Sequence, residues 1–409
     1  MDMSTAPLSA NDWLEFEESW LAPYAMRCRA SRGRRYPEPS HPFRTLYQRD
    51  RERIVHCTAF RRMTGKTQVL VASVNDHHRT RLTHTLEVAQ IARTVARRLR
   101  LNEDLTEAIA LAHDIGHPPF GHAGEHALNH CLQHLGGFNH NLFGLRRVDE
   151  LEERYPDFPG LNLSFEVREA FVQHCGRLEA PECAEFRDCG RPLLEAQVVD
   201  VVDAIAYDTH DIDDALGLGF LTLDELRQVL FWAEAVERVQ RHHPGLSGPP
   251  LRTAVIRELL AWQVTDLLEE TARRLEQYNI RSLDDVRNAP VPLVGFTPQL
   301  AEYKAEWERF LHNRVYTHHS VLRMTHNGQR ILEALFHEYV RHPELLPEKH
   351  FRRWSGASER RGPPPPSWIT HHRRPIPQLE RVVADYLAGM TDRFAQMEYR
   401  RLFLPTMEV

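Results

Sequence analysis

Three stretches of this chain put ionisable side chains on faces that their own periodicity marks as buried. In residues 81–100, Val88, Ile91, Val95 and Leu99 recur at helical spacing, and His84 falls four residues before Val88 on the same stripe. Residues 103–115 repeat the pattern with Leu105, Ile109 and His113 four apart; Gly116 and the Pro118-Pro119 pair then end the helix. In residues 197–211, Asp203, Tyr207 and Asp211 share one face, flanked by the apolar Val199, Val202 and Ala206. Carboxylates and imidazoles are rarely buried without a partner, so three helices carrying His84, His113-Asp114 and Asp203 call for a cation or for one another.

Two imidazoles and two carboxylates form a mixed nitrogen–oxygen set. That set suits Mg²⁺ or Mn²⁺, with Fe²⁺ also compatible, and leaves positions for water and phosphate oxygens. The alternative is a buried hydrogen-bonded His–Asp network without a cation. Structural zinc is disfavoured, because none of the six cysteines forms Cys-x-x-Cys or falls at zinc-ligand spacing. Histidine is the compositional outlier, with 25 copies, and points the same way.

The rest of the pattern predicts an all-α chain with at most a small β-hairpin, at residues 67–71. Trp13 to Tyr24 reads as a short amphipathic stretch. Helical patterning resumes at residues 251–278, 297–339 and 378–403, and residues 343–377, with four prolines at 363–366, read as an exposed loop. The predicted organisation is an arginine-rich extension (1–42), a helical core (43–230) and a C-terminal helical region (231–409). A 42% hydrophobic and 26% charged composition excludes wholesale disorder, and no apolar run reaches the ~18 residues of a membrane span. The acidic N-terminus (Asp2, Asp12, Glu15, Glu17, Glu18) does not resemble a secretory signal, so a reduced cytoplasmic protein without membrane contact is expected.

Charge is uneven. Arginines 27, 29, 32, 34, 35, 44, 49, 51, 53, 61 and 62 face only Glu38, Asp50 and Glu52 within their segment. A solvated basic face and a polyanion-binding surface, for a nucleotide or single-stranded nucleic acid, both fit this arrangement.

The order His84, His113-Asp114, Asp203 resembles the H…HD…D pattern of the HD-domain metal-dependent phosphohydrolases. Longer strings narrow the resemblance to the bacterial deoxyguanosinetriphosphate triphosphohydrolase-like family: residues 49–54, 59–69, 80–88, 116–122, 137–141 and 206–214. The chain departs from many relatives at Phe143-Gly144 and Met63-Thr64. The resemblance implies hydrolysis of deoxynucleoside triphosphates at the α-phosphorus, releasing nucleoside and intact triphosphate. It further implies that Arg81 contacts phosphate, and that His117, His122 with Glu125, and His140 serve phosphate orientation and proton transfer. Tyr207 would pack where a ribose 2′-hydroxyl would sit, Asp211 would accept from the 3′-hydroxyl, and Tyr316 would contact the nucleotide. An activating second nucleotide and a homo-oligomer are also expectations from relatives. The rival functions are an HD-type phosphodiesterase or nucleotidase acting on another nucleotide, and a non-catalytic nucleotide- or nucleic-acid-binding module.

Overall fold

The computed structural model describes residues 7–68, 79–356 and 378–404. Its helices are α1 (Ala10–Trp20), α2 (Leu46–Val55), α3 (Thr58–Arg62), α4 (Arg81–Arg98), α5 (Glu103–Ala112), α6 (Gly121–Cys131), α7 (His140–Arg146), α8 (Phe165–His174) and α9 (Leu194–Gly217). The second half contributes α10 (Leu223–Leu226), α11 (Leu230–His242), α12 (Gly248–Gln277), α13 (Leu283–Arg287), α14 (Pro298–Leu311), α15 (His319–Arg341), α16 (Glu348–Ser355), α17 (Leu379–Ala388) and α18 (Asp392–Phe403). Among the described residues only isolated bridges interrupt this all-α architecture, one of them pairing Thr67 with Thr80. Most of the expected hairpin lies outside the described residues. No described helix is long and apolar enough to cross a membrane.

Local chemistry sets the helix ends near the site. Thr80 caps α4 by accepting from the Thr83 amide at 3.3 Å, and Asn102 caps α5 by accepting from the Leu105 amide at 3.1 Å. Elsewhere the structure divides what periodicity joined. The 297–339 pattern splits into α14 and α15 around a π-turn at His312–Tyr316, and the 378–403 pattern splits at Gly389, after which Thr391 caps α18. An apolar stripe keeps its phase across a short break, so it does not report one. The first helix runs Ala10–Trp20, earlier than expected, because Ser9 and Asp12 form a capping box. Part of the expected loop at 343–377 is helical: Pro343 opens a 3₁₀ turn and Pro347 precedes α16, both positions where proline costs no hydrogen bond. Residues 357–377, including the four consecutive prolines, lie outside the described residues.

The helices bury three apolar clusters. The first packs α2, α4, α5, α8 and the first half of α9 around Ile54, Val88, Val95, Leu105, Ile109 and Val199. The second joins α6 to α15 and α17 through Leu128, Leu332, Phe336 and Leu387. The third packs the end of α9 against α11, α12 and α14 through Ile212, Trp232, Leu259 and Trp307. Helix α9 therefore belongs to two clusters, and the face carrying Asp203 and Tyr207 lies along the stretch between them.

The arginine-rich segment acts within the molecule. Arg34 pairs with Asp50 at 2.5 Å, Arg53 with Glu38 at 2.8 Å, Arg51 with Asp104 and Glu107 at 3.1 and 3.0 Å, and Arg35 with Asp149 and Glu185 at 2.9 and 2.7 Å. Arg53 also donates to the carbonyls of Leu161 and Asn162, pinning α2 to the chain before α8. Arg35 and Arg51 are thus neutralised by acids distant in sequence and Arg34 and Arg53 by the segment's own Asp50 and Glu38, while Arg29, Arg32, Arg61 and Arg62 are exposed with no carboxylate at ion-pair distance among the described residues. Asp50 is fully buried and also accepts from the Ser164 amide at 3.0 Å. Asp50→Ala would leave Arg34 buried without its closest carboxylate, and urea unfolding at pH 7 should show a loss of about 3 kcal/mol. A loss below ~1 kcal/mol would contradict this structural role.

Candidate metal centre and adjoining histidine cluster

Helices α4, α5 and α9 bring three of the sequence-designated residues together. His84 Nε2 lies 2.7 Å from Asp203 Oδ1, and His113 Nε2 lies 3.5 Å from the same oxygen. His113 Nδ1 is 2.6 Å from the Ala110 carbonyl, to which it donates, so Nε2 is the nitrogen turned toward the cluster. That Nε2 is buried and has no hydrogen-bond partner. One ligand atom from each of His84, His113 and Asp203 falls within 4.8 Å of the others. Bonds of ~2.0–2.2 Å to a shared cation set ligand atoms roughly 3–4 Å apart, close to this spacing. The orphaned imidazole nitrogen and the shared carboxylate therefore fit a divalent ion. Burial alone would lower the His113 pKa, but Asp114 and Asp203 outweigh it and raise it to about 9. Asp203 is held well below the usual carboxylate range: burial opposes this, and His113 and His84 overcome it.

Asp114 sits beside this trio and outside it. Its Oδ2 is 2.9 Å from Arg81 Nη1 and 3.6 Å from His113 Nε2, while Oδ1 is 3.2 Å from His117 Nε2. Burial works against ionisation here too, yet Arg81 and the neighbouring imidazoles keep Asp114 charged. Arg81, expected to face a phosphate, is itself buried and committed to Asp114. Burial and the Arg81 charge push the His117 pKa well below that of a free imidazole.

A second cluster adjoins through His117. The His117 and His140 rings stack with centroids 3.8 Å apart, and His122 lies 5.2 Å from His117. Glu125 serves both outer histidines: its Oε1 accepts from His140 Nδ1 at 2.9 Å and from the His140 amide at 2.8 Å, and its Oε2 is 3.4 Å from His122 Nδ1. Against the cost of burial, these hydrogen bonds hold Glu125 far below the ordinary glutamate range. The expected His122–Glu125 pairing is present, and His140 is the closer partner. Backbone fit explains the glycines. A Cβ on Gly116 would lie 1.9 Å from the His140 carbonyl and 2.5 Å from the Gly144 amide, so Gly116 lets α7 pack directly over the His-Asp turn. Phe120 takes a left-handed φ of 64°, its amide held by Asp392 Oδ1 at 2.9 Å. Asp392 on α18 thus fixes the entry to α6, across 272 residues of chain.

On α9, Tyr316 donates to Asp211 Oδ2 at 2.5 Å, and the Tyr207 and Tyr316 rings lie 6.2 Å apart. Burial pushes Asp211 up to about 8, opposed by the Tyr316 hydroxyl. Sequence reasoning missed the residues that clamp this face. Lys304 of α14 donates to Asp208 at 2.5 Å and to Gln263 at 3.0 Å. Arg79 contacts Glu87 at 3.3 Å and Asp214 at 2.9 Å, while His210 faces Glu87 at 3.1 Å. Glu87, three residues after His84 on α4, could have been found by helical spacing; Lys304 and Arg79 had no local signal. A narrow cavity of roughly 20 Å³ opens beside His113 and Asp203, walled by Asn141, Val167, Phe171 and Val199.

Comparison with known proteins agrees with this arrangement. Residues 81–208 match the HD domain, and residues 294–401 match the phosphohydrolase-associated domain. The chain is 46% identical over 391 residues to a deoxyguanosinetriphosphate triphosphohydrolase-like protein of Geobacter sulfurreducens, covering 95% of this chain and 96% of that protein. A Ralstonia nicotianae protein of the same description is 46% identical over 390 residues (94% and 95% covered), and one from Thiobacillus denitrificans is 45% identical over 390 residues (94% and 98%). With identity at this level along nearly the whole length of each relative, the chain belongs to the deoxyguanosinetriphosphate triphosphohydrolase-like family of HD-domain hydrolases.

Proposed function

We propose that this protein hydrolyses deoxynucleoside triphosphates to deoxynucleoside and inorganic triphosphate, using a divalent cation, Mg²⁺ or Mn²⁺ with Fe²⁺ also compatible, held by His84, His113, Asp114 and Asp203. The observation that carries this reading is the meeting of two clusters at one carboxylate. Asp114 approaches His113 at 3.6 Å on the ligand side and His117 at 3.2 Å on the proton-transfer side. A bound cation would supply Lewis-acid polarisation of a phosphoryl oxygen.

The remaining work falls to the protein's own groups. Water adds to the α-phosphorus, the bond from that phosphorus to the 5′-oxygen breaks, and the departing oxygen takes up a proton. His140 suits that donation: its Nδ1–H is committed to Glu125, leaving Nε2 as the exchangeable position. His122, with 66% of its side chain exposed, shares Glu125 and is accessible to water and phosphate. His117, neutral and stacked on His140, positions that ring. Arg81 holds Asp114 in place and offers its charge to phosphate from the same position. Asp211 retains Oδ1 for a 3′-hydroxyl while Oδ2 accepts from Tyr316, and Tyr207 fills the space beside the 2′ carbon. A cytoplasmic, homo-oligomeric enzyme belongs to the same reading, on the family resemblance.

Incubation with Mn²⁺ or Mg²⁺ and each deoxynucleoside triphosphate should yield inorganic triphosphate and deoxynucleoside in equal amounts by ³¹P NMR and chromatography. Pyrophosphate or orthophosphate instead would overturn the reaction. Asp203→Ala should lower kcat by at least ~10³ while circular dichroism stays unchanged, because it removes a ligand and not a structural staple.

Sugar selection has its own readout. Dideoxynucleotides should lose at least tenfold in kcat/KM, since a buried acceptor left unpaired costs ~1–3 kcal/mol. Tyr207→Ala should raise ribonucleotide turnover relative to deoxyribonucleotide, and Asp211→Asn should shift that ratio too. Equal ratios in wild type and both variants would remove Tyr207 and Asp211 from the sugar pocket.

Metal affinity should depend on pH through His113. Its pKa of about 9 in the metal-free chain means that binding displaces a proton. Mn²⁺ affinity measured by calorimetry should therefore rise by about tenfold per unit from pH 7 to 8 and level off above 9. The metal-free fold shows the opposite trend: the His113 contribution to stability is complete below the unfolded pKa of ~6.5 and is lost as pH rises through 9. An affinity independent of pH between 7 and 8 would exclude His113 as the ligand that must lose its proton.

A further inference from the structure

Behind the histidine cluster lies a second and larger cleft, of about 710 Å³, between α7 and the loop that leads into it, the loop after α8 and the face of α17. Three arginines line it: Arg146 at the end of α7, Arg177 after α8 and Arg381 on α17. Only Arg146 has a carboxylate partner, Asp385 at 2.8 Å. Among the described residues, neither Arg177 nor Arg381 has a carboxylate at ion-pair distance. Arg177 donates to the Gly136 carbonyl at 3.3 Å, and Arg381 donates to the carbonyls of Gly137 at 3.1 Å and of Leu135. Glu179, Glu182 and Asp385 also line the cleft; the first two are exposed, and Glu182 and Asp385 act on Arg381 through space without reaching ion-pair distance.

Two half-buried guanidiniums whose direct contacts are all main-chain carbonyls still have N–H groups to offer, and a third cation lines the same cleft. Planar, permanently charged donor forks of this kind match phosphate oxygens bidentately. The walls argue against a nucleotide base: Phe138 and Phe143 are 6% and 5% exposed, and Leu132 is fully buried, so no aromatic face is open for stacking. The floor of the cleft continues into the proposed proton donor. Asn139, on the lining, caps α7 by accepting from the Asn141 and Leu142 amides at 3.0 and 3.1 Å, and His140 is the first residue of that helix.

We propose that this cleft binds an oligophosphate, specifically inorganic triphosphate, and that its occupancy is transmitted through residues 136–139 to His140. The identity of the ion rests on the reaction proposed above, which releases it; the presence of an oligophosphate site does not. Binding draws Arg177 and Arg381 off the Gly136 and Gly137 carbonyls, freeing the turn that positions His140. The released product thereby slows turnover from outside the active site.

Calorimetric titration of the full-length metal-loaded protein with sodium tripolyphosphate, pyrophosphate and a non-hydrolysable deoxynucleoside triphosphate tests this directly. Wild type should show two tripolyphosphate sites, one in the active site and one in the cleft. Arg177→Ser/Arg381→Ser should lose one of them, weakened at least tenfold, and keep the other, whereas His140→Ala should retain the cleft site. The nucleotide analogue should occupy the active site only; if it fills the cleft as tightly as tripolyphosphate, the ligand is the triphosphate tail of a nucleotide and the product assignment fails. Two unchanged sites in the arginine variant, or a single site in wild type, would overturn the proposal. Arg177→Ser alone, which removes one 3.3 Å contact to an exposed glycine, guards against a folding defect in the double variant and should weaken the same site at least threefold. In steady-state assays, added tripolyphosphate should inhibit wild type with a noncompetitive component that is absent from the arginine variant. Failure of turnover with both binding sites intact would refute the proposed reaction and leave the cleft standing, so the two readings fail separately.

Discussion

The carboxylate of Asp203 lies between two imidazoles carried by two other helices, and much of the fold serves to keep it there. A contact of 2.7 Å to His84 and one of 3.5 Å to His113 persist only if α4, α5 and α9 hold their relative register to within a fraction of an ångström. Ridge-and-groove packing of small and branched residues supplies that precision: Val88, Ala92 and Val95 on α4, Ile109 and Ala112 on α5, and Val199 and Val202 on α9 are all at least 95% buried. Helix α9 carries most of the positional demand. Its 24 residues span about 36 Å and enter two apolar clusters, so a shift in either end would move the polar face between them.

The sequence was most informative where ligands share a helix with the apolar stripe that buries them. His84 and Val88, Ile109 and His113, and Val199 and Asp203 are each four residues apart, so burying the apolar partner also orients the ligand. Periodicity reports nothing about partners contributed from afar. Lys304 reaches Asp208 across 96 residues, Tyr316 reaches Asp211 across 105, and Asp392 reaches Phe120 across 272. Each was either invisible or assigned a different contact. Arg81 is the instructive case: its place one turn before His84 was readable, but whether its charge meets a phosphate or Asp114 depends on how α4 meets the turn after α5.

Charge was misleading in the same way. Arg35 and Arg51 look unbalanced within the segment between residues 27 and 62 because the acids that pair with them lie elsewhere: Asp104, Glu107, Asp149 and Glu185. A local count measures composition, whereas a surface potential depends on what the fold brings alongside. The cleft lined by Arg146, Arg177 and Arg381 is the converse. Those residues come from three separated segments and never register as a charged run, yet the fold gathers them around one space.

Charge balance also links the buried centre to its proposed substrate. Asp114 and Asp203 contribute two negative charges and Arg81 one positive charge, leaving a deficit that a protonated His113 neutralises in the metal-free chain. Replacing that proton with a divalent cation takes the local sum from zero to plus one. The buried groups would then be left with a net positive charge facing a cluster of histidines that can also gain protons, and a polyphosphate meets both. Removing Arg81 would instead leave the cation and carboxylates in balance, with no excess charge for the substrate to neutralise. With a cation bound, Arg81, although buried and in contact with Asp114, would set the sign of the proposed site and favour an anion without having to point at one.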